Sequence, residues 1–214
     1  MSGLKTDELL DFLARGAGPV PPGLAWRRLF PALGLGVVVA VLLLVVSHGL
    51  LPGAAFATPV PWLKLAYAAV LGAAAWPWLW RLARPGADPG RVPRSLLWAG
   101  PLVAVAGLAA LWAAAPGQRV DAVLGSTWAV CPRNVLLLSL PTLAGLLWAL
   151  RGLAPTRPRL AGAVAGLVAG AAGAAAYGLS CPEPSLAFVA VWYSAGVMTA
   201  VALGAALGPR VLRW

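Results

Sequence analysis

Six apolar stretches, joined by short polar segments, divide the chain almost from end to end: 31–51, 61–80, 95–115, 134–150, 160–179 and 186–208. A helix needs about 20 apolar residues to cross a bilayer core. Most of these stretches reach or approach that length. The fourth is the shortest and carries Pro141. In lipid every backbone N–H and C=O must be paired within its own segment or in a closed barrel. Long runs of Ala, Leu, Gly and Val fit helices, whereas barrel strands are shorter and alternate in polarity. The pattern predicts an all-α membrane protein with a bundle of six transmembrane helices over 31–208. A tail over 1–30 precedes it and a short tail over 209–214 follows.

The first tail has its own periodicity. Thr6 can cap a short helix, with Asp7 and Glu8 in its first turn, Arg15 in its last, and Gly16 as a left-handed stop. Leu9, Leu10 and Leu13 fall on one face, with Phe12 at its edge. A helix this short is marginal alone in water, so its apolar face is expected to dock on something. Pro19, Pro21 and Pro22 then break the chain before Trp26, Arg27 and Arg28. No cleavable signal peptide is expected, because Asp7, Glu8 and Asp11 precede the first apolar run and that run is too long.

Composition sharpens the membrane reading. Hydrophobic residues make up 61% of the chain and charged ones only 10%, against about 25% charged in soluble domains. The net charge of +10 would suggest nucleic acid in a soluble protein. The placement of the charges argues otherwise. With the N-terminus in the cytoplasm, the inner face receives Lys5, Arg15, Arg27, Arg28, Arg81, Arg84, Arg91, Arg94, Arg151, Arg157, Arg159, Arg210 and Arg213. Only Lys64, Arg119 and Arg133 of the 16 basic residues fall outside. This is the positive-inside distribution, and it predicts both termini in the cytoplasm. Anionic headgroups then satisfy the basic excess, and no direct nucleic-acid binding is expected.

Candidate chemistry is sparse. The two cysteines, Cys131 and Cys181, each precede a proline and fall on the predicted outer side. If that side is an oxidising periplasm, a disulfide could persist there. Two thiols at one depth could instead bind a soft metal or react with an oxidant, or be unrelated to one another. No Cys-x-x-Cys pair, phosphate loop or serine-nucleophile motif is present. His48 is the lone histidine, and all six acidic residues lie outside the apolar runs, which argues against an intramembrane proton path. The residues point away from an enzyme, and no cofactor is expected. Gly162, Gly166 and Gly170 repeat at every fourth position, as do Gly204 and Gly208. Such ridges let helix backbones approach closely, within one bundle or across a homo-oligomer face.

Several motifs, in order along the chain, carry a family resemblance. They are Lys5-Thr6-Asp7-Glu8-Leu9-Leu10, Arg27-Arg28-Leu29, Trp62-Leu63-Lys64-Leu65-Ala66-Tyr67 and Arg81-Leu82-Ala83-Arg84-Pro85-Gly86. Then come Pro155-Thr156-Arg157-Pro158, Cys181-Pro182-Glu183, Val191-Trp192-Tyr193-Ser194-Ala195-Gly196 and Gly208-Pro209-Arg210-Val211-Leu212-Arg213-Trp214. With this set the chain resembles the NrsF-type anti-sigma factors of proteobacteria. The resemblance implies a six-span inner-membrane protein that holds an extracytoplasmic-function sigma factor inactive. It also implies release on a metal or oxidative signal sensed by Cys131 and Cys181. The sigma factor would then dock on the N-terminal helix through Asp7, Glu8, Leu9, Leu10, Phe12 and Leu13, with the bilayer as the other partner. Two other readings remain open on the residues alone. One is a small transporter or channel with a path past Ser139, Thr142, Tyr177, Ser194 and Thr199. The other is an assembly subunit of a membrane complex.

Overall fold

The computed structural model describes Thr6, Asp11 and residues 23–86, 88 and 90–213. All regular structure among these residues is helical. Each apolar stretch falls mostly within one helix: α1 (Leu24–Ser47), α2 (Pro59–Leu82), α3 (Arg94–Ala113), α5 (Cys131–Arg151), α6 (Pro158–Gly178) and α7 (Leu186–Val211). A short helix, α4 (Arg119–Leu124), sits between α3 and α5. Prolines open α2 and α6, where the missing N–H costs nothing and the fixed φ suits a first turn. Ser185 caps α7, its hydroxyl accepting from the Ala187 and Phe188 amides. One π turn, Val189–Tyr193, widens α7 near its start.

The first helix begins at Leu24, ahead of the apolar run at 31, and takes in Trp26, Arg27 and Arg28. Lys64 lies within α2, as its place in the 61–80 stretch implies, but at 1% exposed it is buried, which the sequence did not indicate. Among the described residues five helices are long and apolar enough to cross a membrane, and α2 is not one of them. Its 24 residues carry Lys64 together with prolines and tryptophans.

Helix α6 is the axis of the bundle. It packs against α1, α2, α5 and α7, and 72% of its apolar window is buried. The α6–α7 approach is the closest. A Cβ at Gly162 would strike the Gly204 carbonyl, and one at Gly204 would strike the Gly162 carbonyl. Gly166 meets the Ala200 carbonyl and Gly208 the Pro158 carbonyl in the same way, while Gly170 rests against Val197. Helix α3 is peripheral, with 11% of its window buried. The core divides into two clusters along the axis. One gathers Leu29, Leu79, Leu146, Leu150 and Leu212 at the arginine-rich end. The other gathers Leu44, Val135, Tyr177, Phe188 and Tyr193 at the opposite end, and it includes both cysteines.

Candidate functional site

Cys131 is the first residue of α5, and Cys181 follows the end of α6. Fifty positions apart in sequence (181 against 131), they share one buried cluster. Both are free thiols, 0% and 1% exposed. Backbone bonds fix each one locally. The Cys131 amide donates to the Thr127 carbonyl at 2.9 Å and the Cys181 amide to the Tyr177 carbonyl at 3.0 Å.

Glu183 joins the two segments. Its Oε1 accepts from the Ser126 amide (2.8 Å) and hydroxyl (2.6 Å) and from the Thr127 amide (3.0 Å) and hydroxyl (3.0 Å). The turn before Cys131 is thus tied to the turn after Cys181. Gly125 makes room for this. It sits in the left-handed region at φ 56°, and a side chain there would run into the Glu183 carboxylate. Glu183 is 6% exposed. Burial raises its pKa, but the bonds from Ser126 and Thr127 outweigh burial and hold the carboxyl below its ordinary value.

Lys64 closes the cradle from α2. Its Nζ donates to the Cys181 carbonyl at 2.8 Å and lies 6.0 Å from the centre of the Tyr193 ring. Among the described residues no carboxylate pairs with it. Tyr193 belongs to the π turn of α7. Its hydroxyl is buried beside the Cys181 side chain, with no nitrogen or oxygen partner among the described residues. Tyr177 stacks obliquely on Tyr193 at 5.9 Å. His48, at the end of α1, meets the Tyr177 ring edge-on and bonds Asn134 of α5 at 3.1 Å. Above the cluster, Trp192 Nε1 donates to the Val123 carbonyl at 2.9 Å, and Trp128 packs on the Trp192 ring. The segment between α3 and α5 is thereby strapped onto α7.

The arrangement provides two protected thiols, a nearby ammonium, and a direct contact to the helix most tightly coupled to α6. Among the described residues no three His, Cys, Asp or Glu side chains converge. Sequence reasoning missed Lys64 and Glu183. A lysine between Leu63 and Leu65 near the start of an apolar run was the available sign for one. A carboxylate two residues after a cysteine, between two prolines, was the sign for the other. Of the polar residues of the transporter path, Ser139 and Thr199 bond within their own helices, donating to the Leu136 and Gly196 carbonyls. Ser194 pairs across helices with Tyr67 at 2.9 Å, and the Thr142 hydroxyl is buried with no partner among the described residues. Asp7, Glu8, Leu9, Leu10, Phe12 and Leu13, the expected docking residues, lie outside the described residues.

Comparison with known proteins places the chain. Residues 13–214 match the model of the NrsF family, negative regulator of sigma F. A probable anti-sigma-F factor NrsF from Azospira oryzae is 40% identical over 217 residues, covering 99% of this chain and 100% of that protein. The anti-sigma-F factor NrsF of Caulobacter vibrioides is 40% identical over 221 residues, with the same coverage. No solved structure matches the chain. A match that runs through every helix and both cysteine segments is more than a shared apolar composition, and the chain belongs to the NrsF family.

Proposed function

We propose that this protein is a membrane anti-sigma factor that holds an extracytoplasmic-function sigma factor at the cytoplasmic face and releases it when Cys131 and Cys181 react. The observation that carries the proposal is full-length identity of 40% to two anti-sigma-F factors. The buried, unbonded thiol pair supplies the sensing element. All six long helices span the inner membrane, with the cysteine end in the periplasm and both termini in the cytoplasm. The charge distribution supports that orientation.

Signalling follows from the cradle. A soft metal bound by both sulfurs displaces their protons and leaves two thiolates. An oxidant that accepts two electrons joins them as a disulfide and takes up the two protons. Either product pulls the start of α5 toward the end of α6. Lys64 supplies a countercharge to sulfur that becomes anionic. The strain reaches α7 through Tyr193, which sits in a π turn, a feature frequent at functional sites. Helices α6 and α7 carry the change to the arginine end, where the sigma factor docks on the N-terminal helix and the inner segments. Such a device needs two arrangements of the bundle that the thiol state biases.

The test is co-purification of the sigma factor with the full-length protein. Leu9→Asp and Leu13→Asp are expected to abolish it. Cys131→Ser with Cys181→Ser is expected to leave co-purification and repression intact while induction disappears. Retained co-purification in the leucine variants removes the N-terminal docking site. Normal induction in the serine variant removes the thiol sensor.

A further inference from the structure

At the arginine end, a groove of about 930 Å³ runs between α1 and α5. Its mouth is formed by Arg27, Arg28 and Arg151. All three side chains are exposed, and among the described residues no acidic side chain lines the groove. Below the arginines the walls turn apolar, with Leu35 and Val39 from α1 and Pro141 from α5. Trp148, 79% exposed, stands at the rim. Glycines let the two helices and the Arg28 side chain lie close at its floor. Gly145 lies against Ala32, and the Arg28 guanidinium is laid over Gly152, where any side chain would collide with it.

The groove has the proportions of one lipid. From Arg28 to Val39 a helix rises about 16 Å, close to half of a hydrocarbon core about 30 Å thick. Guanidinium groups bind phosphate through paired N–H donors. A tryptophan at the rim suits the headgroup level. Basic pockets between membrane helices take anionic headgroups. A soluble acidic peptide would use the arginines but would leave Leu35, which is 68% exposed, and the deeper walls uncovered.

We infer that the groove between α1 and α5 is a binding site for one anionic phospholipid, with its phosphate on Arg27, Arg28 and Arg151 and an acyl chain along Leu35, Val39 and Pro141. The inference rests on the membrane placement proposed above and is independent of the sigma factor. A lipid here joins the first helix to α5, whose other end carries Cys131. It therefore ties the bundle's inner face to the headgroup composition of its leaflet.

Native mass spectrometry of the full-length protein, extracted from membranes in detergent, tests the site. Dioleoyl phosphatidylglycerol and dioleoyl phosphatidylcholine are supplied at equal concentration. Phosphatidylglycerol adducts are expected to exceed phosphatidylcholine adducts about tenfold, since several arginines act on one headgroup. The triple variant R27Q/R28Q/R151Q should lose that preference. R84Q/R91Q/R94Q, which removes a basic cluster on another inner segment, should keep it. Leu35→Trp, which fills the groove without touching the charges, should reduce adduct number while the far cluster stays intact. Equal adducts of the two lipids in the unaltered protein overturn the site. Equal loss of preference in both arginine triples reduces it to diffuse surface charge. Full adduct number in Leu35→Trp, or displacement by water-soluble glycerol phosphate, removes the acyl groove. If R27Q/R28Q/R151Q loses the sigma factor but keeps the lipid preference, the arginines belong to a protein partner and the lipid site is wrong. Protein that needs no detergent for extraction would instead sink the membrane placement.

Discussion

Glu183 and Lys64 carry the consequences at the residue scale. The Glu183 carboxylate is held by Ser126 and Thr127, and its pKa is depressed. The unfolded chain therefore binds the proton more tightly than the folded one. The resulting stability is fully present above the ordinary carboxylate range and is lost as pH falls through the folded value. Glu183→Gln is expected to lower stability by about 2 kcal/mol at neutral pH, the scale of hydrogen bonds to a charged group. The loss should shrink toward zero in acid, read as thermal midpoints in detergent at several pH values. A deficit that stays constant with pH contradicts the charge argument. For Lys64, buried against the Cys181 carbonyl, Lys64→Met should leave repression in place and shift induction to higher metal or oxidant concentration. Lys64→Arg should recover part of the response by restoring charge. A dose response unchanged in Lys64→Met would show that the ammonium only fills space.

At the scale of elements, the α6–α7 pair is decisive because its contact is backbone on backbone. Gly166 faces the Ala200 carbonyl, and Gly162 and Gly204 face each other. A methyl group at any of these positions has no flexible neighbour to displace. Gly166→Ala and Gly204→Ala are each expected to destabilise the protein by roughly 1–3 kcal/mol, the usual cost of overpacking. Chemical unfolding in micelles measures this, and neutral substitutions would mean the helices separate easily. Gly72, which only touches the Ala171 side chain at ordinary contact distance, is the control and should accept alanine. The π turn next to this interface places Tyr193 against Cys181 and Lys64. Tyr193 therefore lies about two turns of α7 before Ala200, where the close packing against Gly166 begins.

For the whole molecule, the two ends are chemically distinct. One collects Arg27, Arg28 and Arg151 around an apolar groove, and the other collects thiols, tyrosines and a tied carboxylate. The proposed orientation has a direct check. In a protein with both native cysteines replaced by serine, Gly117→Cys should react with an impermeant thiol reagent on intact spheroplasts. Arg84→Cys should react only after permeabilisation. Both positions are exposed, so accessibility reports sidedness; the native thiols are too buried to do so. The opposite labelling would place the sensing end in the cytoplasm and end the proposed scheme.

Hydrophobic periodicity alone determined that the chain is helical and where each long helix lies, because a backbone in an apolar medium has few ways to pair its polar groups. The ordered motifs were enough to point to the family. The first helix extends past the apolar run, back to Leu24, since a turn that carries Arg27 and Arg28 is not apolar on average. The sequence left open whether Cys131 and Cys181 meet, and whether the glycine ridges face each other. Only the tertiary structure decided that α6 and α7 pack glycine to glycine and that Glu183 ties the two thiol segments together. Only it buried Lys64, because charge burial depends on the Cys181 carbonyl and the Tyr193 ring, both more than a hundred positions away.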